Sequence, residues 1–311
     1  MSSLNTNIAA MTALQTLRST NSEMLQTQNR ISTGLRVASA SDNAAYWSIA
    51  TTMRSDRQSI STVSDALGLG SATAEIASKG IESAISVANK IKDKLVAART
   101  PGVDRDKIQS EITELQASLS EIVSGASFNG QNWLTGDSTD TDAMTRTLVA
   151  SFSRASDGSI SIGTISVDLT NTLLVDSQTD ATARVGALDT QATTTNGGVD
   201  YTVLDLDISA LTDSVDDLAD LEEMLGTVDT AITTMTDAAS SLGAVQTRID
   251  IQKDFASSLM SAIDKGVGQL VDADMNEEST RLQALQVRQQ LGIQALSIAN
   301  QQAQSILSLF R

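Results

Sequence analysis

Fifteen positions step by four and three without a slip along one stretch of this chain: Ile49, Met53, Asp56, Ile60, Val63, Leu67, Gly70, Ala74, Ala77, Ile81, Ala84, Ala88, Ile91, Leu95 and Ala98. An apolar column at that spacing predicts a coiled-coil seam, and at 1.5 Å per residue a helix of roughly 75 Å. Thr100-Pro101-Gly102 ends it, because proline restricts its predecessor and glycine permits a sharp turn. A second helix follows with Ile108, Ile112, Leu115, Leu119 and Ile122 on the same spacing and Ser124-Gly125 as its stop. It is expected to return antiparallel against the first.

A helical column resumes at Leu218, Leu221, Leu225, Val228, Ile232, Met235, Ala239 and Leu242. It continues through Val245, Ile249, Gln252, Ala256, Leu259, Ile263, Gly266 and Leu270. The two successive steps of three around Leu242 predict a locally overwound seam. Two long columns separated by an insertion point to an antiparallel coiled-coil rod with the insertion at its far end. Composition agrees: hydrophobic residues make up 41% but aromatics only 3%, with a single proline, so the apolar content suits long helices. Gly68-Leu69-Gly70 lies inside the first column and reads as close helix packing, not as a phosphate loop.

The intervening segment differs. Phe128-Asn129-Gly130 signals a tight hairpin, and beyond Trp133-Leu134 a Thr, Ser, Asp and Gly-rich stretch runs to about residue 210. Ile160 and Ile162, then Ile165, Val167 and Leu169, alternate with polar residues, as do Val199, Tyr201 and Val203, then Leu204, Leu206 and Ile208. Each set shifts parity once, as a strand with a bulge would. Residues 137–230 hold 18 of the 38 acidic groups and three arginines, so most of the net charge of −17 sits there. That density suits a solvated outer surface and argues against nucleic-acid binding, which needs a basic footprint. No stretch approaches the roughly 20 apolar residues of a membrane span, and the start lacks the pattern of a secretory signal, so export would need another route.

The two ends carry apolar side chains on more than one helix face. Ala10, Leu14, Leu17, Asn21, Met24, Gln28, Ile31 and Leu35 form one column, while Leu4, Ile8, Met11 and Leu25 fall off it. At the other end Leu282, Leu285, Leu296, Ala299, Ala303, Ile306 and Phe310 share a face; Ala284, Val287, Leu291, Ile298 and Ser305 share another, and Leu309 is a further candidate for subunit contact. A helix pair covers one stripe on each partner, and each Leu or Ile left outside forgoes about 1.5–3 kcal/mol of burial. Isolated helices of this length are marginal in water. Periodicity alone equally allows a two-helix extension of the chain's own rod; this burial arithmetic favours self-assembly in which the ends order as copies pack around them.

At this point several segments resemble one known family, the bacterial flagellins of the short-insert kind. Asn29-Arg30-Ile31-Ser32-Thr33-Gly34-Leu35-Arg36-Val37-Ala38-Ser39-Ala40-Ser41-Asp42-Asn43-Ala44-Ala45 is similar to the family's signature between terminal and rod helices. Ser124-Gly125-Ala126-Ser127-Phe128-Asn129-Gly130 resembles its helix-to-hairpin junction. Leu242-Gly243-Ala244-Val245-Gln246-Thr247-Arg248-Ile249, Asp272-Ala273-Asp274-Met275 and Ser308-Leu309-Phe310-Arg311 resemble its C-terminal half. The resemblance implies a mainly α fold: a long antiparallel coiled-coil rod, terminal helices forming a filament core, and a small β-rich insertion at the outer end. Residues 1–40 and 273–311 would be the core helices, 41–136 and 212–272 the rod with its hairpin, and 137–211 the acidic surface insertion.

It also implies a secreted structural subunit that polymerises into the flagellar filament used for swimming, homo-oligomeric and able to mix with related flagellins. An export apparatus of type III, a chaperone, and cap and junction proteins would be its partners, with no nucleic acid and no membrane insertion. Two alternatives are a hook-associated junction protein with similar termini and a surface adhesive or glycan-binding protein. Residues 29–50 resemble the flagellin stretch sensed by plant immune receptors, but Ser41-Asp42-Asn43 stands for the usual Lys-Asp-Asp and Tyr46 for a usual Gly. The segment from Ala88 to Arg99, with Lys90, Lys92 and Lys94, departs from the pattern tied to the animal receptor. Both departures imply weak recognition.

Little chemistry is available. With no Cys and no His, thiolate chemistry, His-based triads and the common zinc sites are excluded, including the zinc peptidase motif that some flagellins carry in the insertion. Asp205 with Asp207, or Asp216-Asp217 with Asp220 and Glu222-Glu223, offer carboxylate pairs of the kind glycoside hydrolysis uses; a solvated acidic face is the plainer reading. Asp137-Ser138-Thr139-Asp140-Thr141-Asp142 has alternating oxygen ligands but lacks the glycine turn and distal Glu of a calcium loop. No catalytic residue, metal or cofactor is expected. Arg30, Arg36 and Arg54 near Asp42 and Asp56 are candidates for pairing across subunits, worth only ~0–1 kcal/mol each if exposed.

Overall fold

The computed structural model describes residues 7–309. In chain order the elements are α1 (Ile8–Thr33), α2 (Ala44–Ala98), α3 (Arg105–Gly125), β1 (Ser127–Phe128), β2 (Gln131–Asn132), β3 (Thr135–Gly136) and α4 (Thr141–Met144). Then come β4 (Thr145–Arg154), β5 (Ile160–Asp168), β6 (Val175–Asp176), β7 (Ala192–Thr193), β8 (Asp200–Tyr201), α5 (Val215–Val271) and α6 (Met275–Leu309). The chain divides into two compact units: the described residues through Arg57 with those from Met260 on, and Gln58–Leu259. Helices α2 and α5 contribute to both.

In the Gln58–Leu259 unit, α2 and α5 run antiparallel. Arg99 pairs with Glu222 and Lys92 with Asp229, so seven residues along one helix match seven back along the other. Every seam position read from the sequence between Ile60 and Ala98 is buried. On α5 the buried column is Leu221, Met224, Val228, Ala231, Met235, Ala238, Leu242, Ile249 and Ala256. This corrects the sequence reading in one respect. With Met224, Ala231 and Ala238 in place of Leu225, Ile232 and Ala239, the three-four alternation passes through Leu242 without a slip, and no overwinding is needed. The displaced residues form an adjacent half-buried column packed on the same core, because α5 has neighbours on more than one side.

Helix α2 is likewise covered on a second side, where Thr73, Gly80 and Val87 are buried. A side chain added at Gly80 would come within 2.8 Å of Ala126 Cβ and 2.9 Å of Leu134 Cδ1. One added at Gly70 would meet Leu148 Cδ1 at 2.7 Å, so the close approach there is to strand β4 and not to a helix, while Gly68 faces open space. Arg105 is a feature the periodicity could not show. It is buried, and its guanidinium donates to Ala98 O, to Leu211 O and to Asp213 Oδ1 at 2.7 Å, tying the end of α2 to the approach of α5.

The predicted hairpin is present as β1–β2, with Asn129 and Gly130 both at positive φ (49° and 77°), the geometry that Asn-Gly supports in a two-residue turn. The insertion contains a long antiparallel hairpin, β4–β5, and the short ladders β3–β6 and β7–β8. The parity shift expected in the Ile160–Leu169 run is accommodated on the partner strand: Val149 pairs with Thr164 and Ser151 with Gly163, leaving Ala150 as the extra residue. The Val199–Ile208 run is not a strand beyond Asp200–Tyr201. Tyr201, Val203, Leu206 and Ile208 are nonetheless buried, since Gln116 and Gln109 on α3 bond the backbone that a neighbouring strand would otherwise satisfy.

Acidity in this segment has a local structural use. Asp157, Asp168 and Asp180 each accept the backbone N–H of the residue two positions on, Ser159, Thr170 and Thr182, and the first and last also take its hydroxyl. These Asp-x-Ser/Thr turns replace ladders with side-chain acceptors. The side-chain contact from the Ser or Thr is the main cause that holds each carboxyl below its ordinary value. Asp189 is the opposite case: it is buried, and burial pushes its carboxyl up although Oδ2 accepts from Asp176 N at 2.8 Å.

Two outcomes follow from this packing. Gly80→Val should lower stability by about 1–3 kcal/mol through overpacking, whereas Gly68→Ala should raise it by about 0.5–1 kcal/mol; urea unfolding of both variants compares them. The depressed turn carboxylates contribute stability that is present above their ordinary pKa of 3.8 and lost as pH falls through the lower folded values. Asp189, shifted the other way, loses its contribution as pH rises through its raised folded value. Asp189→Asn should therefore gain on the parent chain as pH climbs from about 3 to about 7, read by denaturant titrations across that range.

Candidate assembly surface

The terminal helices pack on each other within their own unit. Asn7 caps α1 by accepting from Ala10 N, and Gly34 at φ 71° closes it, its N–H donating to Arg30 O. Residues 34–37 then bond back to the end of α5: Arg36 N and Val37 N donate to Val271 O, and Ala273 N donates to Gly34 O. Val37, Ala50, Val267 and Val271 form a small core there. Ala50, almost fully buried, takes the seam place expected for Ile49, which is 48% exposed; the small residue admits Val37 from the connecting segment.

The α1–α6 seam is not the apolar column read from the sequence. On α1 the covered positions are Ala10, Ala13, Leu17, Thr20, Met24, Thr27 and Ile31, the threonines being the most buried. Leu14, Asn21 and Gln28, placed on the seam by the sequence, are exposed, while Ala13, Thr20 and Thr27 sit there instead. Thr20 can occupy the interface because its hydroxyl donates to Thr16 O at 2.9 Å within its own helix. On α6 the covered column is Glu278, Leu282, Leu285, Gln289, Gly292, Leu296 and Ala299. Gly292 lets Leu17 approach, since a Cβ there would lie 3.3 Å from Leu17 Cδ1.

Polar contacts set the register of this pair. Asn7 Nδ2 donates to Ala299 O, Gln289 Nε2 to Asn21 Oδ1, and Arg30 to the buried Glu278 at 3.1 Å. Arg30 and Arg36 are thus engaged inside the chain, Arg36 through the carbonyls of Gln269 and Leu270. Both sit where a helix C-terminus or a buried carboxylate already offers negative charge. Asp42, for its part, accepts from Ala38 N, Ser39 N and the Ser39 hydroxyl, and the Ser39 contacts hold its carboxyl low.

What remains outside the seam is large and apolar. Ile8, Met11 and Leu25 on α1 are 64%, 60% and 62% exposed, and Val287, Leu291 and Ile298 on α6 are 54%, 58% and 57% exposed. Ile293, not singled out in the sequence, belongs with them. Of the other candidates, Leu17, Met24, Ile31, Leu35, Leu282 and Leu296 are half-buried, Leu285 is buried and Leu14 is exposed. Leu4 and Phe310 lie outside the described residues, as do the side chains of Ile306 and Leu309.

The acidic candidates are placed as loop supports. Asp205 accepts from Thr202 N and Oγ1, and Asp207 from Ser209 N. Asp220 accepts from Asn196 N, Asn196 Nδ2 and Gly197 N, and Glu223 from Thr195. Asp217 takes Thr212 N at 2.8 Å. Asp137 accepts from Thr139, and Asp140 caps α4. These oxygens are committed to backbone geometry, and among the described residues no group of three or more acidic side chains could hold a metal ion. No helix among them is long and apolar enough to cross a membrane.

Comparison with known proteins bears on the whole chain. Residues 4–139 match the bacterial flagellin N-terminal helical region, and residues 225–310 match the bacterial flagellin C-terminal helical region. Flagellin C of Rhizobium meliloti (strain 1021) is 48% identical over 321 aligned residues, covering all of both chains. A flagellin of Brucella melitensis biotype 1 is 46% identical over 312, and flagellin A of Rhizobium meliloti (strain 1021) 43% over 395, again across both chains in full. Two helical regions in their family order, joined by an insertion and ending in a helix pair with wet apolar flanks, are the parts of a polymer subunit: the chain belongs to the bacterial flagellins, structural proteins that build the extracellular flagellar filament.

Proposed function

We propose that the outer faces of α1 and α6 are the contacts through which copies of this chain join. Residues 1–40 and 273–311 are then the core-forming part, 41–136 and 212–272 the supporting coiled coil, and 137–211 the surface insertion. The observation that carries this reading is the apolar surface left over. The seam inside one copy mixes Leu17, Met24, Ile31, Leu282, Leu285 and Leu296 with Ala, Thr, Gly, Gln and Glu, while Ile8, Met11, Leu25, Val287, Leu291 and Ile298 stay outside. Burying one such side chain contributes about 1.5–3 kcal/mol, so a further apolar gain waits for a neighbour.

The two outer faces belong to different helices and have different side chains. Joining the α1 face of one copy to the α6 face of the next is a heterologous contact, which propagates along a helix where a two-fold contact would stop at a dimer. Ordering of the ends is coupled to assembly as well, because helices with apolar side chains left on their outer faces gain that burial only when a neighbour packs on them. Export through a type III channel, a chaperone for the apolar ends, cap and junction partners, and mixing with related flagellins accord with family membership. The junction and adhesive readings are not favoured, since both helical regions match those of filament subunits.

Met11→Asp and Leu291→Asp should leave monomer stability within about 0.5 kcal/mol, because both positions are exposed, yet prevent filaments from forming when a precipitating salt and short seeds are added. Electron microscopy of parent and variants decides this; normal filaments from both variants would remove these faces from the contact. Residues 1–40 and 273–311 should be cut by protease in monomer and protected in polymer, and equal protection in both states would sink the coupled ordering.

A further inference from the structure

Strand β5 presents a free edge that nothing in the folding of one copy uses. The β4–β5 sheet has two strands only, so the outer side of each carries no ladder among the described residues. Unpaired edges template pairing with another strand, and chains that avoid this place charge, proline or a bulge on them. From Ile160 to Val167 β5 has no charged residue and no proline, and the irregularity of this hairpin lies on β4 at Ala150. Ile165 and Val167 anchor the strand in the core, so it is held in place. Ile160 and Ile162, by contrast, are 56% and 60% exposed. This segment lies outside both flagellin helical regions matched, 4–139 and 225–310, so the family's shared helices do not account for it.

We infer that in the assembled state the outer edge of β5 pairs with the outer edge of β4 of a second copy, continuing the antiparallel sheet from one subunit to the next. The inference rests on the filament reading above. Copies in a helical polymer keep the same sense, and same-sense hairpins set side by side alternate β4, β5, β4, β5, which keeps every neighbour antiparallel. A β5–β5 contact would need a two-fold axis and would not propagate. Charge agrees as well. Within the hairpin Asp168 stands across from Thr145 and Val167 across from Arg146. Repeating that register between copies sets Asp168 across from the next copy's Thr145 and Val167 across from its Arg146, so no like charges face each other.

The chain has no cysteine, which makes a direct test possible. Ser153 and Ser161 are cross-strand partners and both exposed, as are Thr147 and Ser166. Ser153→Cys and Ser161→Cys chains should be prepared separately, co-assembled on seeds, oxidised mildly and separated without reductant, and likewise Thr147→Cys with Ser166→Cys. The expected result is a disulfide-linked dimer from a mixed polymer in at least one of the two pairings, and none from either variant polymerised alone or from the unpolymerised mixture. Filaments that yield no mixed dimer in either pairing overturn the inference and leave the filament reading standing. Dimers from a single variant polymerised alone indicate like-to-like contact and overturn it too. Failure of the parent chain to form filaments under the same conditions removes both readings.

Discussion

A helix that meets one partner can hide one stripe, and this chain gives its helices more than one stripe to hide. The two units resolve that constraint differently. Between Gln58 and Leu259 the second stripe of α2, at Thr73, Gly80 and Val87, is covered by the chain itself: Ala126 and Leu134 close on Gly80, and Leu148 closes on Gly70. Helix α5 gains the same service, with a core column through Met224 and Met235 and a half-buried one through Leu225 and Ile232. Among the described residues of the terminal unit no third element covers Ile8, Met11, Leu291 or Ile298. A single physical rule thus yields a finished core in one unit and an unfinished surface in the other.

Polar groups at the terminal seam act on alignment more than on strength. Arg30 with the buried Glu278, Gln289 with Asn21, and Asn7 with Ala299 O each fix one register of α1 against α6. A buried ion pair seldom adds net stability over apolar packing, but removing one partner strands the other. Thr20 and Thr27 take two buried places where a larger apolar side chain would have contributed more to the α1–α6 pair. Register is held inside the copy, and a second set of large apolar side chains is turned outward.

Periodicity makes the long helices and the Asn-Gly hairpin legible in the sequence, because each depends on local spacing or on glycine geometry. It misplaced the seams by one residue where two columns run side by side. Faced with Ala13 or Leu14, Ala50 or Ile49, and Ala231 or Ile232, hydrophobicity chooses the larger side chain, while close packing of helices takes the smaller. The choice at Leu14 and Ile49 is informative, since the large residue that loses the seam becomes surface open to other contacts. Arg105 was illegible for another reason. Its partners, Ala98 O, Leu211 O and Asp213, are 7 to 108 positions away, a relation no local pattern encodes. The alternation in Val199–Ile208 was read correctly as burial and wrongly as a strand, because glutamine side chains on α3 supplied the hydrogen bonds that the pattern assigns to a neighbouring strand.

The insertion follows from the same accounting of backbone groups. A segment with few ladders must satisfy its N–H groups some other way, and here short carboxylates do so one turn at a time, at Asp157, Asp168, Asp180 and Asp207. Each Asp-x-Ser/Thr turn closes on itself and asks nothing of distant residues. Negative charge is therefore a by-product of local satisfaction as much as a surface property, and it accumulates wherever such turns are repeated. A segment built from self-contained turns can be lengthened or shortened without disturbing the seams, while the positions that tie it to the helices, Leu148 against Gly70 and Tyr201 against Thr227 among them, cannot. Between those anchors the hairpin edge of β5 stands out because among the described residues it is neither closed by a turn nor guarded by charge, which leaves its backbone groups open to pairing with another strand.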